Sequence, residues 1–529
     1  MTRLPVLAAL LLVGAAPAPV ARVDVAIRGG TIYSGAETPP ITGDVEIAGD
    51  RIVYVGPSRH TPAARVIDAK GKIVAPGLID AHTHPDSYIR ARDAKARLNL
   101  PWLAQGVSTV VTGVDGGGTP DVAADATALQ ASGIGTNVVP FVGFGAIRQR
   151  VLGEANRAPS PAELAQEKAL AVKGMCEGAL GLSTGLFYAP QSFATTDEVA
   201  AVAQEAGKRG GLYDTHQRDE SDYTIGLIAS TREAIEIGRR AHMPVHFAHL
   251  KALGVDLQGH APELIATIEA ARRAGQDVTA DQYPWLASGS SVDASLVPRW
   301  AVDGGYQAML ARFADPAALA RIKAEMTENL RRRGGADSLL LTSEGMPWTG
   351  RTLAQMAQQW GVSPIDAAIR ILKTPDAAGT GPAGVGVASF NMADRDVDLI
   401  MKQPWVVTSS DGSDGHPRQY ATMPQKYRVY VEQRKVITLA DFIRRSSGMT
   451  ADIYRIDHRG YLRAGYYADV VVFDPARYAP RADYVHPRVP SVGVTALFVN
   501  GRLALRDGAA TGVAAGRVLL RPPPAGCGA

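Results

Sequence analysis

The feature that most restricts the fold is an alternation of short apolar strands with helical stretches, running from about residue 74 to residue 464. Strands are expected at Thr109-Val-Val-Thr112, Val138-Val-Pro-Phe-Val142, Leu180-Gly-Leu-Ser183, Leu212-Tyr-Asp-Thr-His216, Val245-His-Phe-Ala-His249, Val278-Thr-Ala-Asp281 and Trp405-Val-Val-Thr-Ser409. Ala/Glu/Arg-rich helical stretches such as 197–208 and 231–240 lie between them. Strands separated by helices pair in parallel, and about eight such units close into a (β/α)8 barrel of the TIM type. The rhythm breaks at about 286–348, a helical and basic stretch expected to be an insertion after one barrel strand. The barrel is expected to span 74–464.

Residues 23–70 read differently. Val23-Asp-Val-Ala-Ile27, Asp44-Val-Glu-Ile47, Arg51-Ile-Val-Tyr-Val55 and Arg65-Val-Ile67 are short strands separated by turn pairs such as Gly29-Gly30 and Gly49-Asp50. Such a set cannot close a core alone. Ala468-Asp-Val-Val-Val-Phe-Asp474 and Val494-Thr-Ala-Leu-Phe-Val-Asn500 supply matching strands at the other end. A small β-sandwich domain built from 22–73 and 465–515 is therefore expected, with 516–529 as a tail. Ahead of it, Arg3, the apolar run from Leu4 to Val13 and the small residues Ala16-Pro-Ala18 and Pro19-Val-Ala21 form the pattern of a secretory signal peptide over residues 1–21. Export, to the periplasm in a Gram-negative source, is the expectation. No later apolar run is long enough to span a bilayer.

Composition narrows the chemistry. A net charge of +3 over 529 residues, with no dense Lys/Arg block, leaves no nucleic-acid footprint. The two cysteines are Cys176 and Cys527, and because the second lies in a Pro/Gly-rich tail, two free thiols are expected. No cysteine cluster can hold a metal, so any metal site must come from His, Asp, Glu or a modified Lys.

Catalytic residues of such barrels lie where strands end. Those ends offer His82 and His84, Asp115, Ser183, His216, His249 with Lys251, Asp281 with Tyr283, and Asp411. In His82-Thr-His84 both imidazoles leave the strand on one face, a pairing that suits a divalent cation such as zinc. A lone strand-end histidine is more often structural. Here His82, His84, His216 and His249, with Asp411, open onto one mouth in a chain with 11 histidines. His242, His246 and His260 fall off the pattern and are expected at the surface or in packing.

Pro76-Gly-Leu-Ile-Asp-Ala-His-Thr-His84 resembles the signature after the first barrel strand of the amidohydrolase superfamily. Gly178-Ala-Leu-Gly-Leu-Ser-Thr-Gly-Leu-Phe-Tyr-Ala-Pro190, Thr215-His-Gln-Arg-Asp-Glu220, His246-Phe-Ala-His-Leu-Lys251, Asp281-Gln-Tyr-Pro284 and Ser409-Ser-Asp-Gly-Ser-Asp-Gly-His-Pro-Arg418 are similar to the N-acyl-D-amino-acid deacylase (D-aminoacylase) family within it. The resemblance implies a zinc-bearing barrel, with one or two ions, that removes the acyl group from N-acyl-D-amino acids or dipeptide-like substrates. It implies that His216 and His249 hold the tighter ion, and that His82, His84 and Asp411 hold the weaker one. It also implies that Lys251, Tyr283 and Arg418 hold the substrate carboxylate. Asp411 is then the general base and acid, taking a proton from water and returning it to the departing nitrogen.

The chain departs from the family pattern at two positions. Gly113-Val-Asp-Gly116 places Asp115 where the family has a metal-binding cysteine, exchanging a thiolate for a harder carboxylate ligand. Phe144 replaces a histidine typical of the third strand, which is expected to make the mouth less polar and favour an apolar substrate. Two other readings fit the same residues: a dihydroorotase-like hydrolase of cyclic amides or lactones, and a metal-binding sensor without turnover. Retention of Asp411 argues against the sensor.

Overall fold

The computed structural model describes residues 22–379, 381–413 and 415–527. The leader pattern of residues 1–21 lies outside the described residues. Among those described, no helix is long and apolar enough to cross a membrane.

The barrel strands are Leu78–Asp80, Val107–Thr112, Asn137–Pro140 continuing as Val142–Gly143, Gly181–Gly185, Leu212–His216, Val245–Phe247, Val278–Gln282 and Val406–Thr408. They form a six-stranded and a three-stranded parallel array that meet at the third strand. The ring closes between last and first strands, where Ala81 N donates to Thr408 O and Thr83 bridges Gly412 in parallel. Central strands of such a barrel are covered on both faces, hence near-continuous apolar runs rather than alternation. Val107–Thr112 is buried at every position. Helices Thr196–Gly207 and Leu227–Ala241 turn Val199, Val202, Ala203, Ala234 and Ile237 inward, onto Tyr213 and Val245 of the barrel.

Both chain ends build one nine-stranded sheet. Val470–Phe473 joins the C-terminal hairpin to Ile73–Pro76, so the crossing from sheet to barrel falls at Gly77. Alternation of side chains along these strands gives the sheet two jobs. Val470, Val472, Ala496 and Phe498 pack with Val25, Ile27, Val45 and Ile47 in the domain's own core. Val471, Phe473, Leu497 and Val499 face the other way, onto the barrel's Leu78, Trp102 and Val107.

Three features correct the expectations. The insertion runs beyond residue 348: Gly386–Phe390 pairs antiparallel with both Ala287–Ser291 and Leu339–Leu341, and the helices Leu353–Trp360 and Pro364–Leu372 pack into the same separate core. Their amphipathic pattern mimics barrel helices, but their apolar faces meet Val292, Met309 and Met326 instead of barrel strands. The cysteines are not free, because Cys176 and Cys527 form a disulfide with Cα atoms 5.5 Å apart. The segment before Cys527 is ordered across the lower ends of the barrel strands, with Leu519 N donating to Val138 O and Arg521 N to Gly178 O. That path brings the thiol to the end of helix Pro161–Cys176. Finally, Phe144 does not face the mouth. It is fully buried with Val142, Ile147 and Leu186 in the barrel–helix core.

Candidate active site

His82 and His84 follow the first strand, Asp115 the second, His216 ends the fifth, His249 follows the sixth and Asp411 follows the eighth. The structure brings all six to the C-terminal mouth in two groups that share Asp115. One comprises His82, His84, Asp115 and Asp411, and the other Asp115, His216 and His249. Asp115 Oδ1 lies 3.4 Å from His82 Nε2, 3.6 Å from His249 Nε2 and 3.8 Å from His216 Nδ1, while its Oδ2 lies 3.3 Å from His84 Nε2. Asp411 Oδ1 lies 3.3 Å from His84 Nε2, and His216 Nδ1 lies 3.0 Å from His249 Nε2.

The backbone is bent to achieve this. Asp115, His249 and Asp411 all have positive φ, at 53°, 35° and 47°, a conformation uncommon for residues with a Cβ and enriched at functional sites. Each bend is braced. Ser183 Oγ donates to Gly113 O at 2.5 Å and accepts from Gly116 N at 3.1 Å, clamping the loop that carries Asp115. That loop also needs glycine: a Cβ at Gly118 would sit 2.1 Å from Phe141 O. Asp281 Oδ1 accepts the backbone N–H of His249 at 2.8 Å, and its Oδ2 meets His246 Nε2 at 3.0 Å, so His246 is a buried packing partner of the site. Asp80 Oδ1 accepts Ser410 N at 2.8 Å, and Asp411 N donates to His82 O at 2.9 Å.

These side chains fit a metal ion. Both ring nitrogens of His82 and Oδ1 of Asp115 are buried without a hydrogen-bond partner. Orphaned buried polar atoms of this kind are rare and costly unless something else binds them. Imidazole and carboxylate donors converging from separate strands are the ligand types of zinc and similar divalent ions. The electrostatics agree with a cation-seeking site. Burial alone would keep His84 neutral, yet the carboxylates of Asp115 and Asp411 push it up to about 10. Burial opposes ionisation of Asp411 too, but Arg418, His249 and His84 outweigh it and hold the carboxylate well below its usual range.

Lys251, Tyr283 and Arg418 surround the same mouth, although two of them already have partners. Lys251 Nζ donates to Glu220 Oε1 at 2.6 Å and lies 2.8 Å from His249 Nδ1. Arg418 Nη1 is ion-paired with Asp411 Oδ2 at 2.7 Å. The buried Tyr283 hydroxyl has no hydrogen-bond partner. Sequence reasoning missed Glu220. It lies 3.2 Å from His249 Nδ1 and 3.7 Å from His216 Nε2, so one carboxylate stands behind both imidazoles. Its signal was its place four residues after His216. Tyr188 and Phe187 were also missed; their rings lie 4.8 and 5.6 Å from the His216 ring and wall the cavity.

The amidohydrolase family profile matches residues 65–505. A D-aminoacylase of Alcaligenes xylosoxydans xylosoxydans is 32% identical, over 94% of this chain and 98% of the relative. A solved D-aminoacylase studied for its binuclear metal centre aligns with a TM-score of 0.78 and 30% identity, over 94% of this chain and 100% of that one. An N-acyl-D-glutamate deacylase from Bordetella bronchiseptica, complexed with zinc and a phosphonate mimic of the tetrahedral intermediate, gives a TM-score of 0.79 and 28% identity over 94% and 100% of the two chains. Barrel, β-domain, metal-ligating mouth and whole-chain similarity agree: the chain belongs to the amidohydrolase family, in its D-aminoacylase branch.

Proposed function

We propose that this chain hydrolyses the amide bond of N-acyl-D-amino acids, or of small D-residue-containing peptides, to a carboxylate and a free D-amino acid. The observation that carries the reading is the convergence of His82, His84, Asp115, His216, His249 and Asp411 at the mouth of a D-aminoacylase-type barrel. These residues would hold one or two divalent ions, and zinc suits the mixed imidazole–carboxylate set. An ion bound there supplies Lewis acidity, bringing the pKa of water to about 7 and polarising the acyl carbonyl.

The protein's own groups do the rest. Asp411, oriented by Arg418, accepts the proton of the attacking water and returns it to the leaving nitrogen. Glu220 orients His216 and His249 from behind. Tyr283, with Lys251 and Arg418, faces the α-carboxylate. Two fixed anchors and one pocket distinguish enantiomers, because the wrong one must send its side chain into a wall.

We propose further that the mature chain acts outside the cytoplasm. The leader pattern of residues 1–21 supports this, as does the Cys176–Cys527 disulfide, a bond that persists in oxidising compartments. The test of function is turnover of paired D- and L-N-acyl amino acids by purified protein, with elemental analysis. Hydrolysis confined to the D series with one or two ions per chain is expected. Equal kcat/KM for enantiomers, or activity on cyclic amides or lactones alone, overturns the proposal.

A further inference from the structure

The cavity beside the metal-binding side chains holds a cation with no anion of its own. Arg333 stands at the end of helix Pro316–Arg332 in the inserted subdomain and is only 2% exposed. Its Nε donates to the Tyr223 hydroxyl, and its Nη1 faces Ser288 Oγ at 3.3 Å and Ser389 Oγ at 3.5 Å. All three partners are neutral, and Arg333 makes no ion pair among the described residues. The neighbouring cations differ: Lys251 is answered by Glu220 and Arg418 by Asp411.

Lys251, Tyr283, Ser288, Ser290, Arg333 and Asp411 line one cavity. Tyr283 Oη is buried there without a hydrogen-bond partner. A desolvated guanidinium is costly unless an anion meets it, and the orphaned Tyr283 hydroxyl in the same cavity is a ready donor to an anion bound there. A guanidinium offers a planar fork that matches a carboxylate.

We propose that Arg333 receives a carboxylate of the substrate, so that the inserted subdomain supplies a specificity residue. This rests on the reading of the chain as an N-acyl-D-amino-acid hydrolase. The carboxylate has two sources, the α-carboxylate common to all such substrates and the side-chain carboxylate of an acidic one.

The experiment compares wild type, Arg333→Met and Arg333→Lys on N-acetyl-D-glutamate, N-acetyl-D-glutamine, N-acetyl-D-leucine and N-acetyl-D-leucinamide. Charge-assisted hydrogen bonds are worth enough that Arg333→Met should lower kcat/KM about 10–100-fold on the substrate whose carboxylate it loses, chiefly through KM. Arg333→Lys should restore part of this. A side-chain role predicts loss on the glutamate derivative alone, with the glutamine and leucine derivatives within threefold of wild type. An α-carboxylate role predicts equal loss on all three free acids, with leucinamide spared. Equal loss on leucine and leucinamide derivatives without rescue by lysine would assign Arg333 a structural role and overturn the proposal, as would no loss at all. If Arg333→Met fails to fold, wild type decides: no preference for glutamate over glutamine, or for leucine over leucinamide, also overturns it. Wild type that turns over no N-acyl-D-amino acid refutes the underlying reading, and this proposal with it.

Discussion

Replacing Glu220 by glutamine changes one buried carboxylate to an amide of nearly the same shape, and the structure gives two separable consequences. First, Lys251, 5% exposed, loses the anion 2.6 Å from its ammonium. Leaving one member of a buried pair unmatched costs about 3–5 kcal/mol. Second, His249 and His216 lose the carboxylate 3.2 and 3.7 Å from their outer nitrogens. Loss of such an outer partner typically lowers metal affinity about 10–100-fold, or about 1.4–2.8 kcal/mol at 1.4 kcal/mol per tenfold. Glu220→Gln should therefore lower both Tm and metal affinity, read by thermal unfolding of the metal-free protein and by competition with a chromophoric chelator. The double variant Glu220→Gln/Lys251→Met removes the stranded charge. It should recover most of the Tm while metal affinity stays low. Metal affinity within twofold of wild type in the single variant would refute the reasoning, because Glu220 would then compensate Lys251 without supporting the histidines.

Asp411→Asn should keep the fold and lower kcat by roughly 10²–10⁴-fold, the usual worth of a general acid–base; steady-state kinetics within threefold of wild type would remove Asp411 from proton transfer. Asp115→Ala should lose metal and activity together, because its carboxylate is common to both ligand groups, whereas Asp115→Cys should regain zinc. An alanine variant with full metal content by elemental analysis would make the loop merely structural. Away from the site, Glu167 has both carboxylate oxygens buried without partners, and burial, reinforced by Glu198, raises its pKa to about 7 from 4.5. The folded state thus binds this proton more tightly, so the cost is absent below the unfolded pKa, grows as pH rises and is complete above about 7. Glu167→Met should raise stability by about 1–3 kcal/mol at pH 8 and have little effect near pH 4; equal changes in denaturant midpoint at both pH values would contradict this.

The barrel was legible because its strands carry a local signal. Runs such as Val107–Thr112 are rich in β-branched residues and buried at every position, since helices and barrel interior cover both faces. The metal-binding candidates were legible for a related reason. His82, His216 and His249 stand at the ends of readable strands, and a parallel barrel carries all such ends to one mouth. Residues whose roles depend on which surfaces meet could not be read this way. The pairing of Cys176 with Cys527, 351 residues apart, required the path of the last segment beneath the barrel. Phe144 occupied a position suggestive of the mouth, but the helix it begins turns the ring into the core. The helices after residue 348 carry an ordinary amphipathic pattern, and only tertiary contact shows that they cover a separate core. Glu220 and Arg333 illustrate the division most sharply. Both are ordinary charged residues in sequence, and what separates them is that folding buries one beside a lysine and two histidines and the other beside neutral hydroxyls. Local pattern encodes periodicity, whereas the balance of charge inside a cavity exists only once distant segments have closed around it.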